Sequence, residues 1–314
     1  MMKTAAVIFG DFQPVKEKNL RAISAAAAFS STPEEPLEIW SCCPWKGESL
    51  SLPRCVLTQL GETEVLPDGR QCADALEKLV SERNISAVFF PGGMLFNEVA
   101  ARLAARTGGS VLTDVTMVRN LSGDEITVER EIYGYNLNGC FTARKWPVFV
   151  TLSDAFAAKE LEPGPVEEVQ ICPLPPLAGI SRSASQLKKQ DTGLAQAKVM
   201  LVCGRGVSKE GVALMEEICS RTGCALGATK AAIMDGKMPE SAMIGISGVR
   251  AKPEVTVVFG ASGAAAFMKG VSESKLLAAV NKDPDALIFR YCDAGIQDDS
   301  QCVLENLHRM IMEK

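Results

Sequence analysis

Histidine is almost missing from this sequence: His308 is the only one in 314 residues. A Ser-His-Asp or Cys-His arrangement would have to use it. It lies four residues after Leu304 on what reads as a terminal amphipathic helix, Gln301–Glu313, where a solvated face accounts for it. No CxxC occurs among the eleven cysteines, and the close pairs are Cys42–Cys43 and Cys219 with Cys224. Zinc and iron–sulfur sites need tighter pairing with partner ligands, so the expectation is buried reduced thiols, with Cys203, Cys219, Cys224 and Cys302 in apolar runs. No block of basic residues appears and the formal net charge is −5, which argues against a protein held by nucleic-acid phosphates. No apolar run approaches the ~20 residues that span a bilayer. The opening MMKTAAVIFGDF stops its apolar run at Gly10 and Asp11, too soon for a signal peptide. The expectation is a cytoplasmic chain with no membrane insertion and no nucleic acid. Redox work, if any, must be carried by a cofactor.

What is present is apolar and regularly alternating. With 47% hydrophobic and 23% charged residues the composition is that of a globular protein, and the length suits two domains of roughly 150 residues. Ala5–Phe9, Leu37–Cys43, Cys55–Leu57 and Ser86–Phe90 read as strands, and Asn19–Phe29, Gln71–Arg83 and Glu98–Thr107 as helices. Glu125–Tyr133 and Trp146–Leu152 are further strand-like pieces. From Ala157 to Gly193 the pattern breaks: Pro163, Pro165, Pro173, Pro175 and Pro176 precede the polar run Ser181–Gln190. Proline removes backbone donors, so this stretch reads as a linker or wrapping segment. Alternation then resumes with strands Ala197–Cys203, Ala225–Thr229, Val255–Gly260, Ser274–Val280 and Ala286–Tyr291, and helices Gly211–Thr222 and Gln301–Glu313. The expected fold class is α/β, two domains, each a mainly parallel sheet with helices on both faces. Their expected bounds are 1–157 and 194–314, with 158–193 between them.

Several strands in the second half end in glycine and small polar residues, where open α/β sheets bind ligands. Gly204-Arg205-Gly206 lets backbone approach an anion and adds a guanidinium fork, although a tight strand–helix turn also explains the glycines. Thr229 and Lys230 stand about where an NAD site would carry an acidic residue for the ribose. Ile244-Gly245-Ile246-Ser247-Gly248 and Gly260-Ala261-Ser262-Gly263-Ala264 each set a hydroxyl among small residues, as close helix–sheet packing also does. Asn281-Lys282-Asp283-Pro284, Cys292-Asp293-Ala294-Gly295 and Asp298-Asp299-Ser300 read as turns.

In this order, CGRGVSKEG, LGATKAAIMDG, IGISG, KPEVTVVFGASGA, VNKDPDALIF and CDAGIQDD resemble the FAD domain of the electron transfer flavoprotein alpha subunit. The first half is similar more loosely, through AARLAARTGGSVLTDV and VEREIYGYNL. The resemblance implies a Rossmann-like FAD-binding fold in 194–314, a partner-binding first domain, and a beta-type subunit completing the site. A dehydrogenase of acyl-CoA or other type would be the donor, and the chain an electron carrier rather than a catalyst. It implies that Arg205 contacts the flavin end of FAD and that Thr229 and Lys230 keep a hydroxyl and a positive charge near the ring. Ile244, Gly245, Ile246 and Ser247 take the place of the family's VGQTG, with Ser247 supplying the hydroxyl. Ser262, Gly263, Ala264, Ala265, Ala266 and Phe267 take the place of SGAIQH. Asn281 falls on the adenosine side, and Asp299 and Ser300 on the family's late Asp-Leu pair.

The departures are Ile246 for glutamine, Ala266 for glutamine and Phe267 for histidine. Phenylalanine cannot donate a hydrogen bond, so one source of stabilisation for negative charge on the reduced ring is missing, with Lys230 or Arg250 as partial replacements. These departures leave open a second reading, a divergent redox-silent paralogue that binds a partner or nucleotide without flavin chemistry. A third, a nicotinamide-dependent dehydrogenase with Lys230 on a 2′-phosphate, lacks both the full glycine fingerprint and a proton donor.

Overall fold

The computed structural model describes residues 2–11, 15–30, 34–47, 51–63, 65–121, 125–133, 137–175 and 193–313. The chain divides into two compact units, Met1–Ser185 and Gln186–Lys314. The polar run Ser181–Gln190 lies outside the described residues.

The first unit runs β1 (Thr4–Ile8), α1 (Lys16–Phe29), β2 (Leu37–Ser41), β3 (Cys55–Leu60), α2 (Gly69–Glu82), β4 (Ala87–Phe90) and α3 (Met94–Thr107). It continues through β5 (Ser110–Leu121), β6 (Ile126–Ile132), β7 (Leu137–Ala143), β8 (Val148–Leu152) and β9 (Val166–Cys172). The strands form one nine-stranded sheet in the order β7-β6-β5-β8-β4-β1-β2-β3-β9. Pairing is parallel from β5 to β9, and β6 and β7 extend the other end antiparallel. Side chains of one strand alternate between two cores. Ala5 and Val7 of β1 pack with α2 and α3, while Ala6 and Ile8 pack with α1. A strand covered on both faces is apolar except where a polar group finds a partner: β1 and β4 are apolar runs but for Thr4, whose hydroxyl donates to Ala26 O at 2.7 Å.

The stretch read as a linker is partly sheet. Val166–Cys172 pairs in parallel with β3 as the edge strand β9, and its prolines flank the strand rather than interrupt it. The Pro165 carbonyl accepts from Cys55 N at 3.1 Å, so the proline contributes the acceptor it has and needs no donor. Proline density hid a strand whose outward residues, Val169 and Ile171, lack the core's burial.

The second unit runs β10 (Val199–Cys203), α4 (Lys209–Thr222), β11 (Ala225–Ala228), α5 (Lys230–Met234), β12 (Val255–Phe259), α6 (Ala265–Val271), β13 (Leu276–Val280), β14 (Ala294–Ile296) and α7 (Ser300–Met312). Its sheet is parallel throughout, in the order β11-β10-β12-β13-β14. Met200, Val202, Val258 and Ala279 face α6, whereas Leu201, Cys203, Phe259 and Val280 face α4 and α7.

One expected strand is corrected. Ala286–Tyr291 is not extended: Leu287–Arg290 forms a 3₁₀ turn. Its alternating burial, with Ala286 and Ile288 inside and Leu287 outside, mimics a strand. The side chains of Asn281 and Asp283 accept from Asp283 N and Asp285 N, both at 3.0 Å, and wind the chain before it can extend. The place beside β13 is taken instead by β14, whose glycine-containing sequence had read as a turn. Among the described residues no helix is long and apolar enough to cross a membrane.

Candidate functional site

The second sheet reverses direction of growth at β10: the chain passes from β10 out to β11, then returns to place β12 on the other side. At such a switch point the two following loops diverge and leave a crevice beyond the strand ends. Here the loop after β10 and the loop after β12 lie in contact at their bases. Gly204 N donates to Phe259 O at 2.8 Å and Gly206 N to Gly260 O at 2.9 Å. A Cβ on Gly204 would stand 2.3 Å from Gly260 O, and Gly260 itself takes a φ of +61°, so both positions require glycine. Arg205 is exposed between them.

Most of the other expected residues converge on this edge. Thr229 follows β11; its amide donates to Cys203 O at 2.9 Å and its hydroxyl accepts from Ala232 N at 3.3 Å, capping α5. The buried Thr229 hydroxyl therefore serves the helix, while Lys230 beside it is exposed. Ile244 N donates to Ala228 O and Ile246 N to Ala266 O, both at 2.9 Å, which draws the Ile244–Gly248 loop between β11 and the start of α6. Gly245 takes a φ of +136° there, where a Cβ would meet Ala266 O at 2.7 Å. Ile246 and Ser247 are exposed, as are Ser262, Ala264, Ala265 and Ala266. Gly263, at a φ of +85°, is packed against Ile288. Asn281 is buried after β13, its amide donating to Ala261 O at 2.8 Å and its carbonyl accepting from Asp283 N, so it ties two loops together.

Two groups behave differently. Asp299 and Ser300 follow the far edge strand β14, where the Asp299 carboxylate accepts from Gln301 N at 2.8 Å as the N-cap of α7 and Ser300 is buried. Phe267 does not face the exposed edge: it is 6% exposed and packs in the apolar core with Met200, Val202 and Ile244. A polar ring there would be desolvated. Phe267→His is expected to cost the unit about 2 kcal/mol by thermal or urea unfolding. A stability equal to the parent's would show that the position is open to solvent or ligand.

The most informative residue at this edge was not expected. Lys237, just after α5, donates from Nζ to Arg205 O and, at 2.8 Å, to Val207 O, with its side chain only 16% exposed. Its charge also bears on Cys203, whose thiol burial pushes up to about 11 against the opposing pull of Lys237. No local pattern marks it: its partners lie 32 and 30 residues away. The first turn of α4 is held by Ser208, whose hydroxyl accepts from Gly211 N at 2.9 Å and bonds Gln301 Oε1 at 2.8 Å.

Residues 193–272 match the family model of the electron transfer flavoprotein FAD-binding domain, and residues 62–174 that of the electron transfer flavoprotein domain. The Escherichia coli K12 protein YgcQ is 33% identical over 243 residues, covering 76% of this chain and 82% of that protein. The mitochondrial electron transfer flavoprotein subunit alpha of Oryza sativa subsp. indica is 31% identical over 255 residues, 77% of this chain and 69% of that one. The electron transfer flavoprotein subunit alpha of Paracoccus denitrificans is 33% identical over 213 residues, 67% of each chain.

The chain belongs to the electron transfer flavoprotein alpha-subunit family.

In this alpha-type chain the residues that hold the crevice together are largely backbone and glycine, and the exposed side chains are few and chemically simple: Arg205, Lys230, Ile246, Ser247, Ser262 and the methyl row Ala264–Ala266. No cluster of three or more histidine, cysteine or carboxylate side chains suited to a metal ion occurs among the described residues. All eleven cysteines are free thiols, and the expectation of burial holds for Cys42, Cys43, Cys55, Cys72 and Cys203. It fails for Cys140 and Cys302, which are exposed; Cys302 lies on the solvated side of α7.

Proposed function

We propose that this chain binds FAD at the carboxyl edge of its second sheet and, paired with a beta-type subunit met by its first unit, carries electrons from a dehydrogenase of acyl-CoA or other type to an acceptor. The observation that carries the reading is the pair of glycine loops joined at the switch point, with Arg205 and Lys230 exposed beside them. The donor set suits a phosphate-bearing flavin dinucleotide. Two exposed cations answer a pyrophosphate or a reduced ring, and the Ser247 and Ser262 hydroxyls offer hydrogen bonds to ribityl or carbonyl oxygens. The exposed methyls of Ala264, Ala265 and Ala266 offer a flat, close surface without a competing polar group.

FAD supplies the redox chemistry when bound, and the protein sets its position and electrostatic surroundings. Arg205 and Lys230 favour negative charge in the crevice. Neither Ala266 nor Phe267 can donate to the ring, so positive charge does what a histidine's hydrogen bond would otherwise share. Asn281 and Asp299 act here as loop and helix anchors that keep β12, β13 and α7 in register with the crevice.

A second reading, a redox-silent paralogue, draws on one feature: Phe267 is turned into the core where the family motif carries a polar side chain. Both readings face one experiment. The chain is co-expressed with its beta-type partner, and the complex is examined by visible absorption before and after acid release of cofactor. The expected result is a flavin spectrum with about one FAD per complex. A colourless, folded complex that FAD does not reconstitute would replace the first reading with the second.

A further inference from the structure

We infer that Cys219 and Cys224 form a dithiol site for reversible thiol–disulfide exchange, taking low-molecular-weight disulfides such as glutathione disulfide as oxidant.

The juxtaposition follows from how α4 ends. Gly223 takes the left-handed conformation, φ 74° and ψ 12°, and its amide donates to Cys219 O at 2.8 Å. A helix closed in this way turns the residue after the glycine back over the side chain five positions before that residue, a contact ordinarily made by two apolar residues. Here both positions are cysteine, and their sulfurs are 2.8 Å apart. A disulfide needs about 2.04 Å, so closure asks the sulfurs to approach by about 0.8 Å, within reach of small χ1 adjustments. Thr222 Oγ1 accepts from Cys224 N at 3.4 Å and fixes the short loop between them.

Access separates this pair from the other hydrogen-bonded thiols. Cys42 and Cys72 also meet, but both are wholly buried, and the Cys72 hydrogen bond and burial push the Cys42 thiol well up. Cys219 and Cys224 are half-buried, open to a small oxidant. Their hydrogen bond favours loss of one proton and opposes loss of the second, which lowers the Cys224 thiol and raises Cys219. Exchange needs an attacking thiolate, and this asymmetry sets one beside a thiol that waits.

The step balances. The Cys224 thiolate attacks one sulfur of the oxidant, forming a mixed disulfide and expelling a thiolate. Cys219 passes its proton to that leaving thiolate or to solvent, attacks Cys224 Sγ, and expels the second thiolate. Two protein thiols are oxidised to a disulfide and the oxidant is reduced to two thiols. The site lies at the opposite end of α4 from Gly204–Gly206, so it does not rest on the flavin reading.

The test uses the folded chain, incubated with glutathione disulfide, blocked with a thiol reagent, digested with trypsin and analysed by mass. Cleavage after Arg221 separates Glu210–Arg221 from Thr222–Lys230, one cysteine in each, so a disulfide holds the two peptides together. The expected product is the joined pair, lighter by two hydrogens than the sum of the free peptides and separated by dithiothreitol. Cys219→Ser is expected to stop at a stable glutathione adduct on Cys224. Recovery of both peptides as blocked thiols while exposed Cys140 carries glutathione would overturn the inference. So would a mixed disulfide on Cys224 that never closes in the unsubstituted chain.

Discussion

Gly204→Ala is expected to destabilise the second unit by about 4 kcal/mol, beyond the usual 1–3 kcal/mol of an overpacked core. At about 4 °C per kcal/mol for a unit of this size, its melting transition should fall by roughly 15 °C. The reason is geometric. The new Cβ would lie 2.3 Å from Gly260 O, 2.4 Å from Gly260 C and 2.5 Å from Ala261 N, all backbone atoms that no rotamer change can move aside. Relief requires the β10 and β12 loops to separate, breaking the Gly204 N to Phe259 O and Gly206 N to Gly260 O bonds. Because the same loops frame the crevice, flavin binding should be lost with them. Gly236→Ala is the control: its φ is +70° but nothing lies within 4 Å of its Cβ, so it should cost only about 1 kcal/mol. Differential scanning calorimetry of the three proteins decides the matter. A Gly204→Ala transition no lower than that of Gly236→Ala would mean the loops are not joined as described.

Lys237→Met should cost about 3 kcal/mol in stability and weaken FAD binding about tenfold. Methionine keeps the length of the side chain and removes the ammonium, leaving the Arg205 and Val207 carbonyls without their shared donor. A hydrogen bond to a charged group is worth about 1.5–3 kcal/mol, and a desolvated carbonyl left unpaired adds to the loss. The turn that aims Arg205 would then be free to move, and a positive charge would leave the crevice. Denaturant unfolding without flavin reads the first effect, and flavin titration monitored by fluorescence reads the second. The two readouts separate the ideas: if the parent binds no FAD, the stability loss still tests the clamp. Should the variant unfold at the parent's midpoint, Lys237 holds nothing. A flavin midpoint potential lower than the parent's would follow from removal of the charge, since positive charge favours the reduced, anionic ring.

How much of this was legible beforehand depends on the range of the interactions. Strands such as Val199–Cys203 and Val255–Phe259 are local apolar runs bounded by glycine, and their pattern sufficed to find them. Val166–Cys172 was missed because its flanking prolines carry the stronger local signal, although at an edge they do not disturb the ladder. Ala286–Tyr291 misled through an alternation that a 3₁₀ turn also produces, and the choice was made by side-chain turns around Asn281 and Asp283. The short helices α5 and α6 span only five and seven residues, too few for a helical period to show, although their alanines favour helix.

The sequence by itself determined the α/β class, the alternation that makes both sheets mainly parallel, and the family, because each is written in local periodicity or in motifs of consecutive residues. It also placed small residues, cations and hydroxyls at the strand ends, without deciding which of them are exposed: Thr229, Phe267, Asn281 and Ser300 are buried. Tertiary structure alone decided what those residues do. It turned Phe267 inward, gave the Thr229 hydroxyl and Asp299 carboxylate to helix caps, and brought Lys237 onto a turn some thirty residues away. The physical reason is that a buried donor or acceptor must find a partner, and which partner is near is set by packing across the sheet rather than by neighbours along the chain.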